Sequence, residues 1–206
     1  MLNAPPPPEF GQPLPILPSP EALAFLAYRR SASAATLCLP GPDPGQLEAM
    51  LRLATRVPDH GKLAPWRFIL LEEPDKSAFG SRLLALAHDR PDPEKAIAAL
   101  GKFNPAPVAV AVVSHVTLGH KIPEWEQVLS AGSASFALLL AAQALGFGAN
   151  WITDWYSFDP RVGAMLGLQS NERLTGFTFI GTPTAAPLER VRPELPSVVR
   201  RWSAGG

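Results

Sequence analysis

A single cysteine, Cys38, stands in the whole chain, so no internal disulfide can form. It has no CxxC partner and reads as a small apolar filler, and so little cysteine suits a reducing, cytoplasmic setting. An excess of charge of either sign is missing as well, because 18 basic and 18 acidic residues cancel. Nucleic acid attracts proteins through a broad positive field, so no nucleic-acid partner is expected. Long apolar runs are scarce. The one sustained run, Ala131–Phe147, is interrupted by Gly132, Ser133, Ser135, Gln143 and Gly146. It is shorter than the roughly 20 residues that span a bilayer, so it reads as a buried helix and no membrane partner is expected. No basic segment followed by an unbroken apolar stretch opens the chain, which argues against a secretory signal. Common catalytic templates are absent: there is no GxxxxGK[ST] loop and no GxSxG elbow. Gly146-Phe147-Gly148 supplies half of a dinucleotide fingerprint, but in helix-to-strand order, the reverse of what that motif needs. His115 and His120 lack neighbouring cysteines, and no metal is expected.

Proline is abundant instead. Seven of the 24 prolines fall within Met1–Pro18, which reads as an extended arm without a core of its own. Residues 19–206 read as a single domain. With 47% apolar residues, a chain of 206 should bury roughly 70% of its unfolded surface. Ser19-Pro20-Glu21 starts a helix that runs out near Arg30, and Asp43-Pro44-Gly45-Gln46 starts another that Pro58 stops. Strands are expected at Trp66–Leu71, Val108–Val116, Asn150–Thr153 and Leu174–Ile180. Helices are expected at Asp75–His88, Pro93–Phe103, Pro123–Gly146 and Asp159–Leu166. Val108–Val116 is almost continuously apolar, as a central strand covered on both faces would be. The order implies an α+β domain around four or five strands.

The chemistry that remains is arginine chemistry. Arg29-Arg30-Ser31 closes the first helix, and Arg56, His60 and Lys62 follow the second. Guanidinium groups match phosphate oxygens with paired donors, and a neighbouring hydroxyl adds another. The same residues also suit a helix end, where cations favour the negative end of the dipole, or a solvated loop. Composition alone leaves both readings open.

These segments, with Pro58-Asp59-His60, Pro65-Trp66-Arg67-Phe68, Lys121–Gln127, Ser130-Ala131-Gly132, Gly146-Phe147-Gly148, Trp151, Gly176-Phe177 and Gly181-Thr182-Pro183, resemble the nitroreductase-like FMN flavoproteins. The similarity is greatest to the short, YdjA-type branch of NAD(P)H nitroreductases, over residues 19–196. The resemblance implies an α+β homodimer with a mixed, mostly antiparallel sheet of four to five strands flanked by helices. It also implies an FMN at each subunit interface. Arg29, Arg30 and Ser31 match the segment that grips the flavin phosphate and ribityl chain. Arg56 and His60 match positions that reach the flavin from the other subunit. Trp151, Ile152 and Thr153 match a strand whose backbone lies against the ring. Ala141, Ala142, Gln143, Ala144, Leu145 and Gly146 match a segment assigned to NAD(P)H. The implied activity passes a hydride from NADH or NADPH through the flavin to a small electron-poor acceptor, a nitroaromatic or quinone, with ping-pong kinetics. No side chain is assigned a catalytic role. Rival activities on the same scaffold are reductive dehalogenation and flavin binding without turnover. Gln127 is expected to face the dimer pocket, and Trp66, Trp125, Trp151 and Trp155 to lie in the core. Trp151-Ile152-Thr153 replaces a more polar segment of similar proteins. Arg190 and Arg192 lie near where larger nitroreductases carry a phosphate-binding basic pair.

Overall fold

The structure, a computed structural model, describes residues 4–204, so residues 1–3 of the expected arm lie outside it. The rest of the arm has no helix or strand and is exposed, touching the domain where Arg52 Nη2 donates to the Pro5 carbonyl at 2.7 Å. Helix α1 (Pro20–Tyr28) begins where the Ser19 hydroxyl accepts from the Ala22 N–H, as expected. It buries none of its residues, and Leu23 and Tyr28 are 70% and 80% exposed. Helix α2 (Pro44–Ala54) starts with a complete capping box between Asp43 and Gln46 and buries Leu47, Met50 and Ala54 along one side.

Five strands form the sheet: β1 (Leu37–Cys38), β2 (Trp66–Leu71), β3 (Val108–His115), β4 (Gly148–Ile152) and β5 (Glu172–Pro183). The long β5 pairs with both β3 and β4; β2 pairs with β3, and β1 meets the end of β5 with Cys38 opposite Thr182. All four ladders are antiparallel. Helices α3 (Asp75–His88), α4 (Pro93–Ala99), α5 (Glu124–Ala144), α6 (Pro160–Met165) and α7 (Leu195–Val198) complete the fold.

The valine-rich β3 divides two cores. Val108, Val110 and Val112 pack with Leu138, Ala142 and Ile180 under α2 and α5. Ala109 and Ala111 face Phe103, Tyr156, Phe177 and Phe179 on the other side. Phe103 meets Tyr156 and Phe179 edge-on at 5.6 and 5.5 Å, so small alanines on β3 make room for a ring cluster. Both faces are covered, which is why the strand reads as unbroken apolar sequence.

Helix α5 has 21 residues, longer than its apolar run, because a polar first turn from Glu124 to Gln127 extends it. It is long and apolar enough to cross a membrane, yet half of its most apolar stretch is buried inside the fold, as in a core helix. The bulge in β5 positions the site. Val112 faces Gly176 but Val113 faces Leu174, leaving Thr175 unpaired in the ladder. Strand β1 and helix α7 were not expected from the sequence, because two and four residues carry no readable periodicity.

Candidate functional site

The loop after α1 carries Arg29-Arg30-Ser31. The helix ends when the Arg29 N–H bonds the Phe25 carbonyl and the backbone turns extended. Three contacts then strap the loop across β4 and the end of α5. Ala32 N–H donates to the Ala149 carbonyl at 3.1 Å, Asn150 Nδ2 donates to the Ala32 carbonyl, and the Gln143 amide donates to the Arg30 carbonyl. Arg30 Nε in turn holds the C-terminal segment by donating to the Leu188 carbonyl at 2.9 Å. That contact brings Arg190 and Arg192 to the same place. Arg29, Arg30, Ser31, Arg190 and Arg192 line a cavity of about 800 Å³.

This cavity is short of negative charge. Glu189 is the one carboxylate among its lining residues, and it pairs with Arg192 at 3.2 Å. Burial, then the nearby Arg192 and Arg30 charges, hold the Arg29 guanidinium below its ordinary pKa, with Glu189 opposing weakly. Arg29 Nε is buried with no partner among the described residues. Converging cations with an unpaired buried donor make a cradle for a multiply charged anion such as phosphate.

A second, more apolar cavity of about 710 Å³ adjoins the first, and both are lined by Phe136 and Trp151. The Trp151 indole is fixed by Nε1–H donating to the Thr175 carbonyl at 2.9 Å. It lies against the backbone of Gly176, where an added Cβ would sit 2.7 Å from the indole nitrogen and 2.6 Å from the Ile152 carbonyl. With φ at 137°, Gly176 also holds a conformation that other residues rarely adopt. Ile152 points the other way and packs on the aromatic core, so only its backbone is open to this side. Thr153 is exposed just past the strand.

The remaining expected residues lie elsewhere. Arg56 is exposed beyond α2, and His60 is exposed with Nδ1 2.7 Å from Glu126 Oε2. Neither lines the two cavities, so one protomer does not bring them to Arg29 and Arg30. Of the segment 141–146, Ala141 and Ala142 are buried in the core beneath α2, so their side chains are not open to a ligand. Leu145 also packs on that core and Ala144 is exposed, while Gln143 and Gly146 line a separate cavity of about 430 Å³ behind Arg29 and Arg30. Gln127 is 2% exposed and bonds the Thr117 backbone and the Ile122 carbonyl; it braces the 117–122 loop instead of facing a pocket. Trp125 is 68% exposed, not core, and Trp66 and Trp155 are half-buried with their indole N–H groups bonded to Ser130 Oγ and the Ala96 carbonyl. Sequence reasoning gave Arg190 and Arg192 no assigned role. Their alternate spacing in a proline-rich extended tail was the available signal.

The antiparallel sheet and the long central helix frame an arginine-lined cavity beside an apolar slot, and the chain belongs to the nitroreductase family of oxidoreductases. That family's model matches residues 27–182. The chain is 37% identical over 165 residues to the Escherichia coli (strain K12) protein named "Putative NAD(P)H nitroreductase YdjA", covering 79% of this chain and 88% of that one. Among solved structures, a nitroreductase-like family protein from Bacillus cereus superposes with a TM-score of 0.79 at 19% identity, over 92% of this chain and all of the other. A Bacteroides fragilis nitroreductase with bound FMN superposes with a TM-score of 0.67 at 19% identity, over 90% of this chain and all of the other.

Proposed function

We propose that this protein is a cytoplasmic, homodimeric, FMN-dependent oxidoreductase that moves two electrons from NADH or NADPH to a small electron-poor acceptor. The carrying observation is the cation-rich cavity that opens past Trp151 and Phe136 into an apolar one. A phosphorylated, planar heterocycle matches that gradient from charge to apolar surface. Arg29, Arg30, Ser31, Arg190 and Arg192 would hold its phosphate, and the unpaired Arg29 Nε is a donor still seeking an oxygen. Trp151, the Ile152 backbone and Thr153 would border its ring. Arg56 and His60 would approach from a second copy of the chain, since neither reaches the cavities of its own protomer.

Uncovered apolar surface supports that second copy. Trp125 on α5 is 68% exposed, and α1 buries nothing within its own subunit. Bound FMN supplies reversible hydride acceptance, which no side chain provides. The chain's residues bind, orient and shield. Gln143 and Gly146 are the members of the 141–146 segment that line a cavity where a nucleotide could lie. Overall, NAD(P)H, a proton and a quinone give NAD(P)+ and a hydroquinone. A nitro group takes the same two electrons with two protons and gives a nitroso group and water. One apolar slot serving donor and acceptor in turn predicts ping-pong kinetics.

The test is spectroscopic. Purified protein, or protein incubated with FMN, should show bound-flavin absorbance that NADH or NADPH bleaches without oxygen. A protein that stays colourless after incubation would refute the cofactor. A flavin that binds but is bleached by neither nucleotide would refute the turnover.

A further inference from the structure

We infer that the apolar cavity beside Trp151 is an acceptor subsite selective for planar aromatic acceptors that carry a carboxylate, read by Arg173 and Ser114. This deepens the FMN reading and rests on it for the chemistry, though not for the binding. The cavity, about 710 Å³, has room for an aromatic acceptor beside a flavin ring, and Leu118, Val128, Leu129 and Phe136 make much of its wall apolar. Such walls favour a flat hydrophobic body. They do not favour a nucleotide's phosphates, which the arginine cradle next door suits better.

Ser114 is the unexplained residue. It continues the β3 row of Val108, Val110 and Val112, which α5 covers. At the fourth position of that row the side chain becomes a hydroxyl. Ser114 is 5% exposed and lines the cavity, yet its Oγ has no partner among the described residues. Buried hydroxyls are normally paired, so an unpaired one on a cavity wall points to a ligand oxygen. Arg173 lies directly opposite Ser114 in the β3–β5 ladder, so both side chains leave the same face of the sheet. Its neighbour Glu172 leaves the other face, where Arg67 Nε binds it at 2.6 Å, so that carboxylate does not neutralise Arg173. Glu124, the acid on the cavity wall, belongs to the first turn of α5 and forms no ion pair with Arg173 among the described residues. A guanidinium beside a hydroxyl is a carboxylate receptor, and Glu124 repels an anion placed at its own position.

The experiment compares 4-nitrobenzoate with nitrobenzene on the purified, FMN-loaded full chain, by calorimetric binding and by separate kcat and KM. Wild type should bind the carboxylate about tenfold tighter or more, a charge-assisted pair's worth of selectivity. Arg173→Gln should abolish that preference by raising KM for 4-nitrobenzoate about tenfold, leaving nitrobenzene, kcat and flavin content unchanged. Ser114→Ala should shift KM in the same direction, and less. Gly132→Leu offers an independent block. A Cβ there meets nothing within 4 Å, and leucine favours a helix, so the variant should fold while filling the cavity and weakening both ligands. No preference in wild type would overturn the proposal, as would equal weakening of both ligands in Arg173→Gln. Unchanged binding of both in Gly132→Leu would also overturn it, and would point to a second copy of the chain covering this surface. Carboxylate-selective binding by a protein that never takes up FMN would support the subsite while sinking the cofactor reading, so the two failures are distinguishable.

Discussion

Replacing Arg29 with methionine should separate stability from binding. The arginine is poorly satisfied in the free protein: its Nε is buried without a partner among the described residues, and burial, then the Arg192 and Arg30 charges, lower its pKa. An unsatisfied buried donor costs about 1–3 kcal/mol. Against that stand two favourable contacts, a long 3.4 Å bond from Nη2 to Ser31 Oγ and a guanidinium 5.8 Å from the Phe136 ring centre. Those contribute about 0.5–1 kcal/mol each at a half-exposed site. Methionine keeps the unbranched apolar stem and loses the charge. Arg29→Met should therefore leave the ligand-free protein equally stable or about 1 kcal/mol more stable, while weakening FMN binding about ten- to a hundredfold. Urea unfolding of flavin-free protein gives the first quantity and fluorescence titration with FMN the second. Inorganic phosphate offers a cross-check, since it should raise the melting temperature of wild type more than that of the variant. A variant destabilised by more than about 1 kcal/mol that binds FMN normally would refute the reasoning, because Arg29 would then be a structural residue.

Two further predictions concern the frame of the site. Arg67 hydrogen bonding, opposed by burial and helped by the Gln169 N–H, pulls Glu172 from its ordinary 4.5 to about 2. A depressed carboxylate stabilises the fold above its unfolded value, so up to about 3 kcal/mol should be lost as pH falls from 4.5 towards 2. Glu172→Gln should flatten that part of the stability profile without abolishing it, because Asp159, held low chiefly by its bond to Arg161, adds to the same slope; an unchanged profile would contradict the pairing. Gly176→Ala should cost about 1–3 kcal/mol in backbone strain alone, and the 2.6 Å approach of its Cβ to the Ile152 carbonyl must also be relieved. A lower urea midpoint at unchanged slope, with an altered Trp151 near-ultraviolet signal, is expected; a wild-type midpoint would refute it.

The helices and long strands were legible because each carries local chemistry: the Ser19 and Asp43 caps, the 3.6-residue spacing of Leu47, Met50 and Ala54, and the unbroken valine run of β3. The first basic cluster was legible as residues but not as a site. The same arginines at the end of α1 satisfy a helix dipole equally well, and only the strap to β4 and the Leu188 tether turn them inward. Arg192 reaches Arg29 from 163 positions away in sequence, through an extended tail without periodicity. The burial of Ala141 and Ala142 was not legible either, because in an alanine-rich helix only the packing of α2 shows which side chains are covered. Ser114 was invisible for a third reason: a serine inside a valine-rich strand reads as tolerated polarity until its hydroxyl proves to be buried with no partner among the described residues.

Arg30 links these observations. Its side chain holds the tail through the Leu188 carbonyl, and its own carbonyl is held by Gln143 at the end of α5. The residue that would touch an incoming phosphate therefore also positions Arg190 and Arg192 for it. An anion bound there would offset the repulsion among these guanidiniums and tighten the tail over its own ligand, so binding and tail order are one equilibrium. Protection of residues 185–192 from limited proteolysis should then rise with phosphate concentration along the same curve that raises the melting temperature. If phosphate stabilised the domain but left the tail equally susceptible, Arg30 would be a clamp that the ligand does not use, and Arg29 and Ser31 alone would form the cradle.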